Sequence, residues 1–473
     1  MTRKRRNPKR YIPYSVLALS MLMEPLPCYT ASSPPPFYSA RLNEGEEILA
    51  ATRVYHTPTG SFTAQCHCGD LTVMVKEQTE DVEIPIYHQR GLILGTFSHK
   101  NTENFLQVLL KIEGKLKLNV SGHNSVSTSI KIVDESYELW SKKRDGGTCP
   151  GEIDFATVLP STFLEQKKEY PLPPSHKISL SGLPGLHSEC SYTMKLIMVV
   201  RSPLWNKTKL FCIPFKYRPR ERPSIPLFSY SDAQSGRGLF LETIKSAPEI
   251  WFEKSSTLRT RPSLRLAPIE VQLFIPSDRK FGLADVVPFH IQLTGPVSSL
   301  QELSSHLITE QANDLASVVP LNSPPGNTLS GVTKPSSKRF ISLTVTLNRQ
   351  VCVEVKDQAV WRNFVIGEGR VHPNPPSLNA VARKSESASQ YMLSSGNGTD
   401  DTTGFLDGSG DIRCSPEVEH GSFDIGKMKV QDFLVLQIAP VNSSDNSRSP
   451  FFPLKIAIPI SLVSESWSET VII

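Results

Sequence analysis

Short runs of β-branched and aromatic residues, many alternating with polar ones and bounded by Gly, Pro, Asn, Asp or Ser, recur from about Ile48 onward. A repeat of two places apolar side chains on one face of a strand. Many such strands at close spacing bury those faces by stacking sheet on sheet. In the first half the runs are Leu71-Thr-Val-Met-Val-Lys, Gly91-Leu-Ile-Leu-Gly-Thr-Phe, Gln107-Val-Leu-Leu-Lys-Ile-Glu-Gly, Ser129-Ile-Lys-Ile-Val, Ile153-Asp-Phe-Ala-Thr-Val-Leu, Tyr192-Thr-Met-Lys-Leu-Ile-Met-Val-Val and Leu210-Phe-Cys-Ile-Pro-Phe-Lys-Tyr. Tyr192–Val200 is apolar enough to predict a central strand covered on both faces. The second half repeats the pattern in Glu249-Ile-Trp-Phe, Ile269-Glu-Val-Gln-Leu-Phe-Ile, Val287-Pro-Phe-His-Ile-Gln-Leu, Arg339-Phe-Ile-Ser-Leu-Thr-Val-Thr-Leu, Gln350-Val-Cys-Val-Glu-Val, Asp432-Phe-Leu-Val-Leu-Gln-Ile and Pro453-Leu-Lys-Ile-Ala-Ile-Pro-Ile.

These runs predict an all-β chain: two consecutive antiparallel, immunoglobulin-like β-sandwich domains behind a disordered N-terminal tail. The tail covers 1–47, the first sandwich 48–220, and a Pro-, Ser-, Gly- and charge-rich linker 221–244. The second sandwich covers 245–465, with polar, disordered or loop-like insertions near 317–338 and 373–419. The best helical spacing is Leu300, Leu303, Leu307, Ala312 and Leu315.

The tail carries Leu26-Pro27-Cys28-Tyr29 and, nine residues on, Pro35-Pro36-Phe37-Tyr38. Proline fixes φ near −65° and favours polyproline II, which has about three residues per turn. Pro35 and Tyr38 then share one face, ready for an aromatic-lined groove of the WW type. The expected WW-binding residues are Pro35, Pro36 and Tyr38, with Pro27 and Tyr29 as an auxiliary site. The bland alternative is a Pro-rich tail with a chance tyrosine; 38 of the 473 residues are proline, against a usual share of about 5%.

Arg3, Lys4, Arg5, Arg6, Lys9 and Arg10 crowd the first ten residues, although the net charge of the whole chain is only +5. That small balance is no footprint of a dedicated nucleic-acid binder. The basic run reads as a patch for anionic membrane or for nuclear localisation. With the apolar run Tyr11–Met23 it also resembles a secretory leader, but Pro13 interrupts the run and no small-x-small cleavage site follows. A third reading is an upstream extension, with translation starting at Met21 or Met23. No stretch reaches the ~18–20 apolar residues that span a bilayer.

The eight cysteines are scattered. Cys190 and Cys212 read as buried free thiols. Cys66-His67-Cys68 lacks the further ligands of a metal site, and in a strand His67 would point away from the two thiols. Asp400, Asp401, Asp407 and Asp411 lack the spacing of a calcium loop. Ser409 sits in a Gly-rich segment without a base nearby. No Gly-x-Ser-x-Gly, His-Glu-x-x-His or Walker-type loop occurs. No metal, cofactor or catalytic residue is expected.

Several segments together resemble the arrestin-like family, in particular its fungal alpha-arrestin type with N- and C-terminal-like domains. Tyr87-His-Gln-Arg-Gly91 through Gly95-Thr-Phe resembles the family's first glycine-bearing hairpin. Val108-Leu-Leu-Lys-Ile-Glu-Gly114 resembles its V-x-L-x-G strand, and Ile153-Asp-Phe-Ala-Thr-Val-Leu-Pro-Ser161 its F-x-F-x-x-x-L-P. Phe211–Pro223 resembles the end of its first domain, and Phe281-Gly-Leu-Ala-Asp-Val-Val-Pro-Phe-His-Ile-Gln-Leu-Thr-Gly295 its G-D-x-I-P-F-x-L-x-L-x-G. The likeness covers about 48–225 and, more weakly, 245–465. Ile153 stands where an aromatic is usual. No paired Asp and Arg of a polar core stands out, so phosphate sensing is not carried over.

The resemblance implies a non-enzymatic adaptor. It would link cytosolic segments of membrane transporters or receptors to a WW-domain HECT-type ubiquitin ligase, for ubiquitination and endocytic trafficking. Its place would be cytoplasmic, peripherally at the plasma membrane or endosomes, without nucleic acid. The alternative is a secreted or lumenal β-sandwich binding protein without a ligase partner, for which the sequons at Asn119, Asn206, Asn397 and Asn442 would matter.

Overall fold

The structure, a computed structural model, describes residues 58–66, 69–122, 125–203, 205–224, 237–262, 265–307, 340–356, 358–374, 403–442 and 449–467. The predicted tail 1–47 and the insertion 317–338 lie outside them. The described residues belong to one compact unit, and the fold is all-β.

The first sandwich is built from β1 (Gly60–Gln65), β2 (Leu71–Gln78), β3 (Ile86–Tyr87), β4 (Leu92–His99), β5 (Phe105–Ser121), β6 (Val126–Ser141), the one-turn α1 (Lys142–Asp145), β7 (Glu152–Val158), β8 (Thr162–Glu165), β9 (Lys168–Pro171), β10 (His176–Leu180), β11 (Gly185–Val200) and β12 (Lys207–Tyr217). One sheet runs β1-β2-β4-β7. The facing sheet runs β3-β12-β11-β5-β6, with β10 added to β11. The period of two in the sequence is realised directly. Val73, Val75, Ile93 and Phe97 of the first sheet meet Val108, Leu110, Met194 and Leu196 of the second. β11 is central, as expected, between β5 and β12. Its outer face is only half covered, because polar residues such as Thr193 and Lys195 occupy the outward parity. Cys190 is buried, but Cys212 is exposed. Cys212 takes the outward parity of β12, between inward Phe211 and Ile213.

The second half adds α2 (Arg237–Ser246), β13 (Trp251–Leu258), β14 (Ile269–Pro276), β15 (Lys280–Gly282), β16 (Val286–Pro296), α3 (Val297–His306), β17 (Ile341–Val355), β18 (Gln358–Asn374), β19 (Thr403–Arg413), β20 (Phe423–Asp424), β21 (Met428–Pro440) and β22 (Leu454–Val463). These strands form one continuous ribbon, β13-β14-β16-β19-β18-β17-β21-β22-β15, with β20 on β21. β18 turns the corner. Its residues up to Gly369 pair with β17, and Arg370–Asn374 pair with β19. The ribbon thereby folds over on itself. Val271, Leu273, Ile291 and Leu293 share a core with Val345, Leu347, Leu434, Leu436 and Ile458.

Three expectations need correction. Part of the predicted linker is helix: α2 lays Phe240 against Trp251 and Phe274, and its Thr243 hydroxyl receives the Trp251 indole N–H at 2.9 Å. The best helical spacing starts earlier than expected, and α3 ends at His306, with Leu300 and Leu303 buried. The segment 373–419 is not simply a loop, since β18 runs to Asn374 and β19 is a full strand between β16 and β18. Its glycines hid it, because glycine weakens strand propensity. They are present for close approach. A Cβ at Gly410 would collide with the Arg370 carbonyl and stand 2.6 Å from Cζ of Phe289.

The two sandwiches are not separated by a neat boundary. The inner ends of β17 and β21, through Val351, Val353, Val355, Met428 and Val430, belong to the first sandwich's core rather than the second's. A fully buried aliphatic side chain contributes about 1.5–3 kcal/mol. A handful of them makes this seam far stronger than a loose contact between independent domains.

The Gly410→Val variant is expected to lose about 1–3 kcal/mol or more through overpacking at the corner. Its denaturation midpoint against wild type checks this.

Candidate functional site

The WW-binding residues Pro27, Tyr29, Pro35, Pro36 and Tyr38, and the basic patch Arg3, Lys4, Arg5, Arg6, Lys9 and Arg10, all lie outside the described residues. Within them, the chemistry concentrates where the two sandwiches meet.

Arg349 and Asp432 stand directly opposite each other on β17 and β21. Both occupy the inward parity of strands that are otherwise apolar there, with Leu347 and Val351 on one side and Val430 and Leu434 on the other. Their side chains are 2% and 0% exposed. Arg349 Nε donates to Asp432 Oδ1 at 2.7 Å, and a terminal guanidinium nitrogen donates to Oδ2 at 3.0 Å. The Ser422 hydroxyl donates to the same Oδ2 at 2.8 Å and accepts the Leu462 backbone N–H at 3.0 Å. A buried carboxylate is tolerable only when paired and hydrogen-bonded in this way. The expectation that no Asp–Arg pair occupies the core is therefore overturned. The signal was present as two charges on the buried parity of two strands. What the sequence lacked was the register that sets them face to face.

Next to this pair three rings meet across the seam. His176 of β10 lies 5.5 Å from His420 and 5.4 Å from Phe423, centroid to centroid; His420 and Phe423 are 5.6 Å apart. His176 is held from both ring nitrogens. Nδ1 is 2.9 Å from the Pro174 carbonyl, and Nε2 is 2.8 Å from the Ser188 hydroxyl. The carbonyl must accept, so Nδ1 carries the proton. Burial pushes the His176 pKa down to about 4. Burial, then the Arg349 guanidinium, pushes that of His420 down to about 3. Burial raises the Cys414 thiol to about 11, so that neighbour stays protonated.

Ionic and backbone contacts rim the seam. Lys427 bridges to Glu165 at 2.9 Å and Lys216 to Glu419 at 3.2 Å. Glu465 receives Arg220 at 3.2 Å and Arg222 at 3.5 Å. The Ser464 hydroxyl donates to the Pro219 carbonyl at 2.7 Å and accepts the Glu221 N–H at 2.9 Å. Gly426, at φ +77°, tucks under the Tyr170 hydroxyl, where a Cβ would lie 2.5 Å away. A cleft with a cavity volume of about 60 Å3 opens here, lined by Leu172, Tyr217, Pro219, His420, Leu462 and Ser464 among others. One water needs about 10–15 Å3 of such space. The cleft therefore has room for a few waters, not for a substrate of drug size. The arrangement locks two bodies together and carries titratable groups at the lock.

Among the described residues no three His, Cys, Asp or Glu side chains gather in a metal-ligating group. Cys66 is half-buried, while His67 and Cys68 lie outside those residues. Asp407 and Ser409 are in β19, where Asp407 accepts from Gln292 at 3.1 Å. Among the described residues no helix is long and apolar enough to cross a membrane.

Asp432→Ala should cost about 3–5 kcal/mol, because it strands a buried guanidinium. Replacing Arg349 and Asp432 together by Met and Leu should restore most of the loss, since packed apolar side chains substitute well for a buried pair. Chemical denaturation of the single and double variants measures both. No family model matches this chain, and no curated protein matches it either.

Proposed function

We propose that the chain is an arrestin-like adaptor. Its N-terminal segment recruits a WW-domain HECT-type ubiquitin ligase, and its sandwiches engage cytosolic segments of membrane transporters or receptors. It works in the cytoplasm and at the periphery of the plasma membrane or endosomes, where Arg3, Lys4, Arg5, Arg6, Lys9 and Arg10 add attraction to anionic lipid, each about 1 kcal/mol near the surface. It carries no catalysis of its own. Its effect is to bring a client into reach of the ligase.

The observation that carries this reading is Pro35-Pro36-Phe37-Tyr38, preceded by Leu26-Pro27-Cys28-Tyr29, ahead of a two-sandwich body. A polyproline II ligand loses little chain entropy on docking. One such motif binds weakly. Two gain through effective concentration when the partner has tandem WW domains. The seam is consistent with the role, because a shared core gives an adaptor a stiff body to present to its client.

Tyr38→Ala should weaken capture by a tandem-WW ligase fragment by about tenfold or more, the ordinary cost of removing an aromatic anchor. Tyr29→Ala should cost less. Pulldown with the purified full chain measures both, and equal capture by wild type and the Tyr29, Tyr38 double variant removes the proposal. Proximity labelling in the native host should lose the ligase in Tyr38→Ala and retain membrane proteins. Glycans on Asn119 or Asn206, both exposed, would instead favour the secreted binding protein.

A further inference from the structure

We propose that the joint between the two sandwiches is acid-labile: protons taken up by His176 and His420 loosen the seam and open the cleft beside it. The inference is independent of the ligase partner.

The geometry is a three-ring contact to which each sandwich contributes one imidazole. The charged and titratable groups around it can be named. His176 has Lys177 next to it on β10, with the His187 imidazole and the Ser188 hydroxyl on β11. From the second sandwich it meets Phe423 and His420. The Ser188 hydroxyl also touches Met428 Sδ at 2.9 Å, tying the histidine's support to β21. His420 faces the Arg349 guanidinium from β17 and, with it, the Asp432 carboxylate from β21. That carboxylate already accepts both Arg349 bonds and the Ser422 hydroxyl. Glu419, its chain neighbour, is engaged by Lys216 of β12. Tyr217, Arg218 and Glu221 line the same cleft, and burial holds the Tyr217 phenol up to about 12. Glu465 is taken by Arg220 and Arg222.

Lys280 reaches Glu221 at 3.8 Å, so each carboxylate named around the rings already has a cationic partner. A proton on His420 in the closed seam would meet the charge of Arg349, and a proton on His176 disfavours it further. Opening the seam relieves both by admitting water.

The direction follows from linkage. In the closed seam both histidines have lowered affinity for protons, whereas in the open form they recover their ordinary value near 6.5. Above that pH both forms are neutral there, and closure has its full stability. As pH falls below about 6.5 the open form binds protons that the closed form refuses. Stability is then lost progressively toward about 4 for His176 and about 3 for His420.

The test is amide hydrogen exchange on the full chain at pH 7.5 and 5.0, corrected for the intrinsic pH dependence of exchange. Protection over residues 171–177 and 419–428 should fall by about tenfold or more at pH 5.0, while the β2–β4 pairing of the first sandwich stays protected. In the variant carrying H176Q and H420Q the difference between the two pH values should largely vanish. Should that variant fail to fold, wild-type protein with 13C-labelled histidine decides the matter. Of the 11 histidines, the signals of His176 and His420 should resist titration until seam protection is lost. Unchanged protection at pH 5.0, or titration of His176 and His420 near their ordinary value with the seam still protected, overturns the proposal.

Discussion

The pairing of Arg349 with Asp432 is the constraint around which the second sandwich is arranged. A strand buried on one face tolerates no slip, because a shift of one residue exchanges its faces. Apolar residues enforce that rule softly, since leucine can replace valine against a neighbour. The ion pair enforces it sharply. A slip by two residues keeps the apolar parity but would set Arg349 opposite Val430 or Leu434 and leave two uncompensated charges in the core. Such a pair is a poor source of net stability and a strong selector among registers. Ser422 extends the selection, because its hydroxyl links the carboxylate to the Leu462 amide and so ties β22 to the same register.

The strands themselves were legible because period two is a local property. Leu71-Thr-Val-Met-Val and Val351-Cys-Val-Glu-Val declare their buried faces without reference to any partner. Local reading failed where a residue's role is set by something distant. β19 contains Gly404, Gly408 and Gly410, which argue against a strand in isolation. They belong there because Phe289 and the Arg370 carbonyl occupy the space a Cβ would need at Gly410. Phe240 in α2 lies in a stretch whose composition suggests a linker, yet its ring stacks on the His290 ring at 3.7 Å. The polar site was half legible. Arg349 and Asp432 each break the apolar parity of a strand, but their meeting depends on an 83-residue separation closed by the ladder.

The two sandwiches are not physically independent of each other. Two sandwiches joined only by a linker would each complete their own core. Here β17 spends its inner end in the first sandwich's core and its outer end in the second's, so the first core is not complete without strands of the second. The seam resembles the interior of one protein more than a transient interface, whose residues are usually more polar. Motion between the halves therefore needs a specific release of buried groups rather than simple flexing of a linker.

That requirement explains why the polar residues and the apolar anchors lie on the same strands. Arg349 is two residues from Val351 along β17, and Asp432 is two residues from Val430 along β21. The inner neighbours of the ion pair are thus the residues that plug into the first core, and His420, in the cleft lining, feels the charge of the guanidinium. Any change in the charge balance around Arg349 acts on strands that hold both sandwiches together. Groups that share partners in this way do not contribute additively. The cost of charging His420 depends on whether Asp432 remains to balance Arg349, and the cost of losing Asp432 depends on whether the seam can admit water. The joint consequently behaves as one cooperative element: closed when its charges are matched, and opened at the rings first, where the matching has no carboxylate to spare.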